Sequence, residues 1–167
     1  GSEERALIMG VVVADTATKR YLSRAVGPAL AQFGVNSPVP DPQLTVFAEG
    51  GRELARNNGW STGPDAVAMV QLARNSGAFA LPAGSADSAL VNSLDAGVYT
   101  LQITTPGGQG GLALAELYEL DGSGRTVNLS TRAQVGSGDR TLIGGFVVAG
   151  TAHKRMLIRA VGPTLRN

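Results

Sequence analysis

A strand-forming segment that occurs twice in one chain, 135 residues apart, narrows what that chain can fold into. Residues 5–30 read RALIMGVVVADTATKRYLSRAVGPAL, and residues 140–165 read RTLIGGFVVAGTAHKRMLIRAVGPTL. The two align without a gap and are identical at 18 of 26 positions. The match extends to Gly1-Ser2 against Gly136-Ser137, so 136–167 duplicates 1–32. The 167 residues are therefore one period of 135 followed by the first 32 of the next. This fits a segment of a tandem array, or a protein whose two ends are equivalent. We divide the chain into one β-sandwich unit, 1–121, and the head strands and hairpin of the next repeat, 122–167. The second part either packs in the same domain or is donated to a neighbouring subunit.

Each copy reads as a β-hairpin. Leu7-Ile8 and Val11-Val12-Val13 make an apolar, largely β-branched run, Asp15 to Thr18 turn the chain, and Tyr21, Leu22 and Val26 resume it. Gly27-Pro28 ends the strand because proline donates no ladder hydrogen bond, and Ala29 to Phe33 offers a helical turn. Further strands are predicted at Leu44 to Phe47, Glu53 to Arg56, Ser88 to Leu94, Tyr99 to Ile103, Leu112 to Leu120 and Thr126 to Leu129, with turn residues between them. Pro64 to Arg74 is the one helix candidate, with Val67, Met69, Val70 and Leu72 as its apolar stripe. About nine regularly spaced strands imply an all-β fold, an antiparallel β-sandwich of jelly-roll type with one short helix.

Composition removes several functional classes. Fourteen basic residues against thirteen acidic ones leave a formal charge of +1, and no basic run suggests nucleic acid as a partner. Without cysteine there are neither disulfides nor thiolate metal sites. No segment reaches the roughly 18 apolar residues of a membrane span, so membrane insertion is not expected. No secretory leader is visible at the N-terminus. Glycine makes up 23 residues, most of them in turns between strands, and Gly10, Gly27, Gly145 and Gly162 belong to the repeat.

Several strings carry a resemblance. Asn128-Leu129-Ser130-Thr131-Arg132, Val135 to Asp139, Leu142 to Val148 and Leu157 to Pro163 resemble the head of a bacterial extracellular repeat domain, found in tandem in secreted surface proteins. Asp41 to Leu44, Pro82 to Leu90 and Ala96 to Thr100 are similar to its body, and the middle section resembles the pre-peptidase C-terminal β-sandwich. The resemblance implies secretion, an extracellular or cell-surface location, and a structural or binding role without a known reaction. The first copy departs from the motif at Met9, Val11 and Ser23, where the second has Gly144, Phe146 and Ile158.

No catalytic constellation, cofactor site or metal site is expected. His153, the single histidine, sits at a turn where the first copy has Thr18. No serine lies in a G-x-S-x-G elbow. Gly107 to Gly111 precedes a strand rather than a helix, so it does not build a phosphate loop. Asp121 to Gly124 and Gly136 to Asp139 carry oxygens but lack calcium-loop spacing. Arg24 and Arg159, at equal positions in apolar strands, need partners, for which Asp41 and Asp139 are candidates.

The function expected is that of a noncatalytic structural repeat. It self-associates head-to-tail or packs against neighbouring repeats through Leu7, Ile8, Val12, Leu22, Arg24, Leu142, Ile143, Val147, Leu157 and Arg159. The alternative is a carbohydrate-binding or adhesin module, with Trp60 beside Asn57 and Asn58 as a glycan platform.

Overall fold

The computed structural model describes residues 6–122 and 124–166. Eight strands occur in them: β1 (Leu7–Ala14), β2 (Lys19–Val26), β3 (Gln43–Ala48), β4 (Glu53–Asn57), β5 (Ser88–Leu94), β6 (Gly97–Thr104), β7 (Leu114–Glu119) and β8 (Arg125–Arg132). They form two antiparallel sheets, of order β4-β3-β6-β1-β8 and β5-β2-β7. The protein is an all-β sandwich, divided five and three, with one α-helix among the described residues.

The duplicated segment is not a hairpin. β1 pairs with β6 and β8 in the larger sheet, whereas β2 pairs with β5 and β7 in the smaller. Residues 15–18 therefore carry the chain across the sandwich, as a β-arch. The burial pattern explains this. A hairpin within one sheet would leave the second face of β2 in water, yet seven of its eight residues are buried. On the inner face Met9, Val11 and Val13 meet Tyr21, Ala25, Leu44, Val46, Leu101 and Ile103. On the outer face of the smaller sheet Leu22 packs with Trp60, Met69 and Ala89 beneath the helix. Each Val, Leu, Ile or Met among them contributes roughly 1.5–3 kcal/mol on full burial.

The helix, α1 (Ala66–Asn75), docks through Ala66, Met69 and Ala73, an i, i+3, i+7 stripe, and leaves Val67 in solvent. Of the Val67, Met69, Val70 and Leu72 stripe expected from sequence, Met69 is buried in the contact and Leu72 is half-buried, whereas Val67 and Val70 are exposed. Ser76 stops it by donating its hydroxyl to the Leu72 and Ala73 carbonyls. A 3-10 helix, Pro28–Phe33, follows β2 as the expected helical turn.

The second copy forms no strand among its described residues. Both interior positions that its sequence suits are filled by the first copy, and its apolar side chains lie exposed. Within 122–167, β8 joins the same sandwich as β1, and residues 133–166 contribute no further strand.

Candidate functional site

The two copies are one sequence in two environments. Leu22 is 1% exposed and its counterpart Leu157 is 85% exposed; Val11 is fully buried and Phe146 is 56% exposed. Leu7, Ile8 and Val12 are half-buried on β1, while Leu142, Ile143, Val147 and Arg159 are exposed. The structure therefore brings the first five candidate residues into the sandwich and leaves the other five outside it.

One identity falls where the backbone leaves no room for a side chain. A Cβ on Gly27 would lie 2.1 Å from the Val39 carbonyl oxygen, so backbone would have to move; Gly162 keeps that glycine. Asp15 adopts a left-handed backbone at φ 78°, and its counterpart Gly150 does so at φ 96°. Within β1 and β2 only Met9, Val11, Tyr21 and Ser23 differ from the second copy, which has Gly144, Phe146, Met156 and Ile158. All four of these β1 and β2 residues are buried between the sheets. Two replacements remove bulk and two add it, as volume-conserving repacking requires.

Arg24 is the polar centre of the arch. Its Nε lies 2.8 Å from Glu116 Oε2, an ion pair whose alignment falls short of a hydrogen bond. Nη1 donates to the Phe79 carbonyl at 2.6 Å, and the guanidinium sits 4.4 Å above the Phe79 ring. The partner is thus Glu116, which faces Arg24 across the β2–β7 ladder, and not Asp41; the side chain of Asp139 lies outside what the structure describes. Tyr118 donates its hydroxyl to Glu116 Oε1. Burial, then this hydrogen bond, pushes the phenol up to about 12. Burial also raises Tyr21, whose hydroxyl meets Thr126 on β8. Nearby, Lys19 Nζ lies 3.0 Å from Glu119 Oε2 and donates to the Asp121 carbonyl.

Asp87 went unread in the sequence. It is fully buried; its Oδ1 accepts the Gly27 and Ala29 amides, and its Oδ2 accepts the Ser85 hydroxyl. Its signal is an acid flanked by Ala86 and Ser88 at the entry to an apolar strand, where only satisfied burial suits it.

Trp60 is 6% exposed, and its indole N–H donates to the Pro82 carbonyl and Ser85 Oγ. Asn57 joins β4 to β5 by accepting the Ala89 amide and, through its backbone carbonyl, the Ser88 hydroxyl, whereas Asn58 is exposed. The three residues form no exposed platform. A cavity of about 260 Å³ between α1 and the smaller sheet is lined by Leu22, Arg24, Trp60, Met69, Ala73 and Leu81. His153 is exposed and follows the bend at 150–152. Asp121, weighed above for calcium, accepts the Arg20 amide. Among the described residues no cluster of His, Cys, Asp or Glu could hold a metal ion, and no helix is long and apolar enough to cross a membrane. No protein-family model, curated protein or solved structure matches the chain.

Proposed function

We propose that the chain is a noncatalytic structural repeat of a bacterial surface protein or filament, working outside the cell and assembling head-to-tail through its duplicated segments. One observation carries the reading: a sequence that forms an interior strand in each of the two sheets recurs with its apolar side chains exposed. Contiguous exposed apolar surface of this kind marks an interaction site. A carbohydrate-binding role draws no support from Trp60, whose ring is buried.

Sedimentation and electron microscopy test the assembly. The full chain is expected to form oligomers or fibres, and a chain ending at residue 135 is expected to stay monomeric. A full chain that remains monomeric at high concentration removes head-to-tail assembly.

A further inference from the structure

The second copy's partner surface can be narrowed further, granted the assembly reading above. Its sequence suits the β1–β2 position, but that position is taken. Exchange would release an equivalent segment from the acceptor, so the packing formed would only replace the packing broken and leave no drive for association. A productive docking site must be an edge that is still open.

The two sides of the sandwich differ in this respect. At the β4/β5 side, β4 has five residues and carries the Arg56–Glu53 ion pair on its surface. Asn57 ties it to β5 through Ser88 and Ala89, and the Trp60 amide donates to the Asp87 carbonyl. Short, charged and cross-tied edges of this kind resist strand addition. At the other side, among the described residues, no strand pairs with the outer edge of β7 or β8. Residues 127–132 of β8 are exposed on both faces, and Leu129, which points inward beside Val11, is 47% exposed. Leu114, at the start of β7, is also exposed.

Charge selects the same partner. Residues 140–167 contain five basic residues and no acidic one, whereas residues 1–139 contain nine basic and thirteen acidic. Glu116, Glu119 and Asp121 line β7 and the turn that follows it.

We infer that the β7/β8 edge of a second copy of this chain is the acceptor of the 142–161 arch. Residues 142–149 lie antiparallel along β8 and residues 154–161 along β7, extending both sheets by one strand. In the register that β1 holds on the opposite side of β8, Val147 faces Asn128, Phe146 covers Leu129, and Gly145 leaves room for Ser130. Lys154 and Arg155 then approach the Glu119–Asp121 turn, and Arg159 comes level with Glu116, matching the arrangement of Lys19 and Arg24 on β2.

The absence of cysteine makes disulfide trapping clean. Full chains carrying Val147→Cys are mixed with differently mass-tagged full chains carrying Asn128→Cys or Val98→Cys and oxidised. Val98 lies opposite Val12 across the β1–β6 ladder, so it comes into register with Val147 only if the second copy takes the place of β1. The expected result is a mixed dimer with Asn128→Cys and none with Val98→Cys. A mixed dimer with Val98→Cys signals exchange and overturns the inference, as does the absence of any mixed dimer with Asn128→Cys. If the chains still sediment as oligomers in either case, only the β7/β8 edge is refuted. If the full chain does not associate at all, the assembly reading falls with it.

Discussion

At the residue scale, Arg24 and Gly27 set the tolerance of the arch. Arg24 is 2% exposed and its carboxylate partner is the largely buried Glu116. Replacing one member strands a buried charge, which typically costs about 3–5 kcal/mol. Glu116→Gln is therefore expected to lower the urea midpoint strongly, while a joint Arg24→Met, Glu116→Leu variant recovers much of the loss. Gly27→Ala is expected to prevent soluble folding, because its new methyl meets backbone at 2.1 Å. Gly162→Ala, the same change in the exposed copy, should leave the melting temperature of the sandwich unchanged. The alkaline limb of stability follows from Tyr118. Its folded pKa of about 12 exceeds the ordinary 10.0, so its neutral form is favoured by folding. That contribution is complete below pH 10 and lost as pH rises toward 12. Tyr118→Phe, compared with wild type in urea melts across pH 9–12, should flatten this part of the decline.

At the scale of elements, the duplicated arch is both the most legible feature and the most misleading one. Two apolar runs joined by Asp15 to Thr18 look like a hairpin, since local pattern cannot distinguish a turn within one sheet from a crossing between two. The distinguishing sign is the burial of both faces of β2, which depends on α1 and Trp60 arriving from residues 60–75. The strand at 97–104 was readable from alternation, because Leu101 and Ile103 are buried while Val98 on the opposite face is exposed. Arg24 was readable as a buried charge, but Glu116 was not readable as its partner, because the β2–β7 register exists only in three dimensions. Truncation separates the two copies. A chain ending at residue 135 retains β8 and all three core clusters, so its melting temperature should match that of the full chain. Deleting residues 7–26 should leave no cooperative melt.

At the scale of the whole molecule, opposite charge is divided along the chain rather than mixed over it. The basic final 28 residues and the acidic preceding 139 attract between molecules, and salt screens such attraction with a Debye length of about 8 Å at 0.15 M and about 3 Å at 1 M. Assembly measured by sedimentation should therefore weaken as salt is raised across that range, with the melting temperature of the sandwich little altered. Apolar burial alone would instead hold or strengthen the association.

The antiparallel pairing of β1 with β8 has a mechanical consequence. Ile8 faces Arg132, so the chain enters and leaves the sandwich side by side at one end of adjacent strands. Tension along a string of such units would open the β1–β8 ladder rung by rung, like a zipper, rather than shear all its rungs together. Each sandwich would hang beside the line of force as a pendant, with the pitch of the string set by the segment from 133 to 141.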